Sequence, residues 1–201
     1  MTRRAALAGA VAGVLFTQQR AEASVPAALA NHPGFRAWTR PQHAGGLPIT
    51  DPVETGAGQR PLRDWIGRRP TVVALWASWC APCLAEKAQQ ATMARRLAAT
   101  GAATRIVALQ IFDDADFAHG RRLLDRVGAR ALPMAQALPV TEIHFRRQFA
   151  GQRNQVELPL VLLLDGDGLE LGRAVGQMTG ADGRSDYWQD EATFDFLSRL
   201  Y

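Results

Sequence analysis

Thr71-Val72-Val73-Ala74-Leu75-Trp76, then Trp79-Cys80-Ala81-Pro82-Cys83, then the run from Leu84 to Ala99 decide the fold of this chain. The first run is β-branched and apolar on both faces, which predicts a buried central strand. The last is rich in Ala, Leu, Glu, Gln and Arg and free of Gly and Pro, which predicts a helix. Strand, turn and helix are therefore consecutive, with both cysteines in the turn.

The same alternation continues downstream. After a break at Gly101, Arg105 to Ile111 reads as a second apolar strand, and Asp113-Asp114 offers a start for a helix reaching Val127. A βαβα order implies parallel strands with helices over the sheet. Pro133 and Pro139 interrupt residues 128–157, where Val140 to Phe149 fits one short helix. Leu160 to Leu164 is a further buried strand, joined to Leu169–Val175 by the turn Asp165-Gly166-Asp167-Gly168, and an amphipathic helix from Asp190 to Leu200 can cover the sheet. That turn lacks the later ligands of a calcium loop.

Upstream, order begins at Pro61-Leu62-Arg63-Asp64-Trp65. Residues 24–60 carry Pro26, Pro33, Pro41, Pro48 and Pro52 with several glycines, so they read as an irregular lead-in with room for one short hairpin. Residues 1–23 have the form of a signal peptide: Arg3-Arg4, twelve apolar residues from Ala5 to Phe16, and Ala21-Glu22-Ala23 as a cleavage site. Twelve residues fall short of the ~20 that span a bilayer as a helix. The paired arginines also fit twin-arginine export, and the general secretory route fits as well. Either route predicts a periplasmic protein with no membrane span after cleavage, in a compartment where disulfides persist.

Composition excludes several classes. The 201 residues are 47% hydrophobic and 21% charged, enough apolar material for one core in one domain, here residues 61–201. Two cysteines cannot form a stabilising disulfide framework. The net charge of +4 includes Arg3, Arg4, Arg20 and Glu22; without them 20 basic and 18 acidic residues leave +2, too little for a nucleic-acid surface.

The chemistry of the cysteines follows from their position. A sulfur at a helix start lies among unpaired backbone N–H groups, where the helix dipole favours negative charge. Cys80 is thus the candidate attacking thiolate, and Cys83, one turn on, the resolving thiol that closes a small disulfide. So short a ring adds little stability, which favours exchange over a structural bridge. A Cu(I)-binding pair is the competing use of the same two sulfurs.

In Trp79-Cys80-Ala81-Pro82-Cys83 the chain resembles the thioredoxin superfamily, and more closely its exported TlpA/ResA-like (DsbE-like) branch, over most of residues 60–200. The resemblance implies an α/β thioredoxin-like fold, a central mixed β-sheet flanked by helices behind an irregular N-terminal extension. It implies a thiol-disulfide oxidoreductase whose only redox group is the Cys80–Cys83 disulfide, with no separate cofactor and no metal. Trp76 and Trp79 match aromatic positions of such sites. Pro159 matches the family's cis-proline, and with Leu158, Trp79 and Pro82 would hold a substrate peptide. Glu86, three residues after Cys83, matches a glutamate that tunes the thiols in this branch. Pro82 stands where strong oxidants carry His, which points to a reductant, with a thiol oxidase as the alternative. The implied partners are an exported protein thiol or disulfide and a membrane-bound thiol reductant.

Two positions depart from the pattern. Ala74 occupies the place of a buried Asp that assists the second thiol, leaving Glu86 or a water to take that part, and Ala88 replaces a helix-kinking Pro. The basic and aromatic run Ile143-His144-Phe145-Arg146-Arg147-Gln148-Phe149 fits a partner-facing segment or an ordinary covering helix.

Overall fold

A computed structural model describes residues 25–41, 47–151, 155–180 and 186–201. The signal peptide expected over 1–23 lies outside the described residues. In chain order the elements are β1 (Pro52–Thr55), β2 (Gly58–Pro61), α1 (Leu62–Ile66), β3 (Thr71–Trp76), α2 (Ala81–Ala99), β4 (Arg105–Gln110), α3 (Phe117–Arg126), β5 (Met134–Ala137), α4 (Pro139–Phe149), β6 (Leu160–Leu164), β7 (Glu170–Val175) and α5 (Glu191–Ser198). Single 3-10 turns occupy Pro33–Phe35 and Tyr187–Gln189.

The strands form one mixed sheet in the order β2-β1-β5-β4-β3-β6-β7. β3 is parallel to β4 and β4 to β5, as the crossover order requires, while β6 runs antiparallel to β3 and β7 to β6. β3 lies inside the sheet with all six residues buried. Successive side chains point to opposite faces of a strand, so Val72 and Trp76 join the layer under α2 and α5. Val73 and Leu75 join the layer with Leu62, Ile66 and Phe145, under α1 and α4. This two-sided burial explains the unbroken apolar run. Truncating a buried leucine such as Leu75 to alanine costs about 2–5 kcal/mol in such a setting.

Three expectations change. The residues before 61 are not only lead-in: β1 and β2 form the expected hairpin, but β1 also pairs with β5 and extends the sheet. Further upstream, Val25, Leu29, Phe35 and Trp38 are buried with the α5 layer. The Phe35 and Phe196 rings lie 5.4 Å apart, and Trp38 Nε1 donates to Tyr187 Oη at 2.5 Å. The proline and glycine content broke the periodicity without preventing these side chains from finding the core. β5 escapes sequence reading because Met134-Ala135-Gln136-Ala137 contains no β-branched residue; pairing with β4 and β1 makes it a strand.

The helix expected from Asp113-Asp114 instead begins at Phe117, capped by Asp116, whose Oδ1 accepts from His119 N at 2.7 Å. Asp113 is committed elsewhere, to the loop beside the cysteines. The remaining helices match their expected positions, α4 at 139–149 and α5 at 191–198. α4 is largely a covering helix: Phe145 is buried, Thr141 Oγ1 donates to Pro52 O at 2.7 Å, and His144 Nδ1 lies 2.6 Å from Asp51 Oδ2.

Candidate active site

The cysteines sit where β3 ends and α2 begins. Cys80 is the N-cap of α2, Pro82 lies in the first turn, and Cys83 N–H donates to Cys80 Sγ at 3.3 Å. Proline suits this place because the first-turn N–H groups have no helical acceptor. The sulfurs are joined in a Cys80–Cys83 disulfide with Cα atoms 5.3 Å apart. Cys80 keeps 3% exposure and Cys83 none, an order that suits an outer attacking and an inner resolving sulfur. In the reduced protein a Cys80 thiolate would accept from the same Cys83 N–H.

The loop leading to Cys80 is fastened from the side. Ser78 N–H donates to Asp113 Oδ2, and Ser78 Oγ donates to Asp113 Oδ1 at 2.8 Å. Asp113 also accepts from Gln110 Nε2 and Ala115 N, each at 3.0 Å. Cys80 N–H then donates to Ala77 O at 3.0 Å, closing the turn. Sequence reading missed Asp113 because an Asp in a loop before a helix looks like a cap; its true partner is 35 residues away.

Trp79 is 64% exposed, a large apolar surface beside the disulfide. Its Nε1 donates to Phe112 O at 3.0 Å, and Phe112 N–H donates to Glu142 Oε1 at 2.6 Å. Phe112 adopts φ 56°, a left-handed conformation that costs a non-glycine residue about 1–3 kcal/mol. Those two hydrogen bonds hold it there. Burial raises the pKa of the Glu142 carboxyl, against the N–H of Phe112 and the charge of Arg146.

Pro159 arrives at the same end of the sheet. The Leu158–Pro159 bond is cis. Leu160 is in register with Leu75, so Pro159 lies at the end of β3 that feeds the cysteine loop. Pro159 is buried and its carbonyl accepts from Gly176 N at 2.8 Å, while Leu158 is half-buried and packs on both core layers.

Below the disulfide the helix turns unexpectedly polar. Glu86 keeps only 4% exposure and Lys87 1%, and Gln90 is fully buried. Glu86 Oε1 accepts from Met178 N at 3.2 Å, and its Oε2 accepts from Gln90 Nε2 at 3.4 Å. Lys87 Nζ donates to Gln90 Oε1 at 2.9 Å. Burial raises the Glu86 pKa, opposed by the Met178 N–H, the Lys87 charge and the Trp188 indole. Burial pushes the Lys87 ammonium down to about 7, opposed by Glu86. Ala74, in register with Ala108 and Val161, offers no carboxylate from the sheet. The buried acid near the cysteines therefore comes from α2, which runs without interruption past Ala88. Lys87 was not singled out from the sequence, although stepping three and four residues from Cys83 along the core stripe reaches it.

No family model and no curated protein matches the chain. Solved structures do. A crystal structure of a proposed thiol:disulfide interchange protein DsbE from Chlorobium tepidum has a TM-score of 0.55 at 22% identity, covering 77% of this chain and 98% of that one. A second Chlorobium tepidum crystal structure, of a thiol:disulfide interchange protein of the thioredoxin family, has a TM-score of 0.51 at 18% identity, covering 77% and 99%. The solution structure of a thiol:disulfide interchange protein from a Bacteroides species has a TM-score of 0.53 at 13% identity, covering 65% and 80%. The fold is thioredoxin-like.

Proposed function

We propose that this chain is a thiol-disulfide oxidoreductase that exchanges disulfides through Cys80 and Cys83. The observation that carries the reading is the bonded cysteine pair at the start of α2, at the end of the sheet where Pro159 also lies. In the reducing direction a Cys80 thiolate attacks a substrate disulfide and forms a mixed disulfide. Cys83 then attacks Cys80 Sγ, the intramolecular disulfide forms, and the electron pair leaves on the substrate sulfur. Trp79, Pro82, Leu158 and Pro159 are the candidate contacts to the substrate peptide, and Glu86 assists the thiols.

Pro82 in place of His between the cysteines supports a reductant. The signal-like segment at 1–23 supports export to the periplasm, and among the described residues no helix is long and apolar enough to cross a membrane. An exported protein thiol or disulfide would be the client and a membrane-bound thiol reductant the electron source. A Cu(I) carrier using the same two sulfurs is the competing reading; among the described residues no group of three or more His, Cys, Asp or Glu could hold a metal.

Insulin reduction by the wild type and by Cys80→Ser tests the reading. Turnover that Cys80→Ser abolishes is expected; an inactive wild type that binds copper stoichiometrically favours the carrier instead. A reduction potential in the range of strong oxidants would reverse the assigned direction and leave the exchange chemistry intact.

A further inference from the structure

The core-facing stripe of α2 runs Cys83, Glu86, Lys87, Gln90, Ala91. Residues three and four apart on a helix are neighbours, with Cβ atoms about 5–6 Å apart. A stripe that faces a sheet is ordinarily apolar, yet here three consecutive members are polar and buried. Their hydrogen bonds also share one polarity. Gln90 turns its amide N–H toward Glu86 and its carbonyl oxygen toward Lys87. Met178 N–H points at the other Glu86 oxygen. A neutral carboxyl would need to donate; the partners of Glu86 are donors themselves. The arrangement suits a carboxylate at Glu86, linked to the Lys87 amine through one amide.

We propose that Lys87, acting through Gln90, is the positioning residue that keeps Glu86 ionised beneath the cysteine pair, so that Glu86 receives the Cys83 proton in the resolving step. This rests on the exchange chemistry proposed above. In that step the bond between Cys80 Sγ and the substrate sulfur breaks and the Cys80–Cys83 bond forms. The electron pair departs on the substrate thiolate, and the proton of Cys83 moves to Glu86 before leaving to water.

The surroundings explain why a lysine is needed. Burial alone would protonate Glu86 and deprotonate Lys87; each opposite charge resists that for the other. Asp186, which precedes the Tyr187–Gln189 turn packed on α2, pushes Glu86 further toward the neutral form. Tyr187 stays a neutral phenol because burial raises its pKa. On the sheet side Ala74 and its register neighbours Ala108 and Val161 bring no charge. Among the described residues Lys87 is thus the cation that acts on Glu86.

Lys87→Met, Lys87→Arg and Gln90→Leu test this in the full protein. Release of a chromogenic thiol from the Cys80 mixed disulfide reads the resolving step. Its acid limb should move up by about one pH unit in Lys87→Met, a roughly tenfold slower release on the acid side. Mixed-disulfide formation in a Cys83→Ser background should not change, and Lys87→Arg should restore the limb. Infrared difference spectra of the reduced protein at about pH 6, referenced to Glu86→Gln, should show an ionised Glu86 in the wild type and a protonated one in Lys87→Met. An unchanged acid limb in Lys87→Met, or a protonated Glu86 in the wild type, overturns the proposal. Should Lys87→Met fail to fold, Gln90→Leu carries the same two readouts in the same direction. A wild type that forms no mixed disulfide would sink the exchange reading, and the infrared band would still decide the state of Glu86.

Discussion

The Glu86 carboxylate accepts the backbone N–H of Met178 at 3.2 Å, joining α2 to the segment that leaves β7. Gly176, two residues earlier in that segment, donates to Pro159 O at 2.8 Å. One short stretch of backbone thus ties the acid below the disulfide to the cis-proline beside it. Glu86→Ala leaves the buried Met178 N–H without its acceptor, and should cost about 1–3 kcal/mol in urea unfolding. Glu86→Gln keeps an acceptor there and should cost less, while slowing resolution of the mixed disulfide.

Asp113→Ala should loosen the cysteine loop. It removes the acceptor of Ser78 N, Ser78 Oγ and Ala115 N at once, so a loss of about 2 kcal/mol in stability is expected. Stopped-flow exchange with a small disulfide should show slower attack by Cys80, because the N-cap geometry is no longer held from the side. Unchanged attack would mean that the turn at Ala77 is sufficient by itself.

Lys87 gives the oxidised protein a distinct pH dependence. The ammonium titrates near 7 in the folded chain against an ordinary 10.5. Between those values the unfolded chain binds more protons, so stability rises with pH, by at most about 1.4 kcal/mol per pH unit for one proton. Glu86, with its raised pKa, works in the other sense and loses stability as pH climbs from 4.5 toward its folded value. Urea titrations from about pH 7 to 10 should show the upward slope in the wild type and its absence in Lys87→Met.

Trp79→Ala should separate recognition from folding. The side chain is mostly exposed, so unfolding should shift by no more than about 0.5–1 kcal/mol, including the lost hydrogen bond to Phe112 O. The KM for a protein disulfide should rise several-fold while exchange with a small disulfide stays near wild type. Equal losses with both substrates would remove Trp79 from the substrate surface.

Gly34→Ala should detach the segment before the sheet. A Cβ built there falls 2.4 Å from the backbone oxygen of Ala192 and 2.7 Å from Cβ of Phe196 in α5. Backbone cannot yield as a side-chain tip can, so a loss of about 1–3 kcal/mol and easier proteolysis within residues 25–38 are expected.

By itself the sequence determined the strand-turn-helix order around Cys80 and Cys83, the parallel β3–β4 pair, the β6–β7 hairpin and the two closing helices. Each is written in neighbouring residues: an apolar run, a turn dipeptide, a helix-forming stretch. It also placed Cys80 and Cys83 as candidates, through a motif whose spacing is local, and Pro159 and Glu86 through the family resemblance which that motif carries. Tertiary structure decided the rest, because the partners lie far along the chain. Whether Glu86 is a surface charge or a buried acid depends on Met178, 92 residues away, and on Trp188. Asp113 became a fastening for Ser78 instead of a helix cap, and Met134 to Ala137 became a strand, because of what the fold brought beside them. The burial that makes Lys87 a candidate for proton control is a property of the assembled layers, which no window of sequence contains.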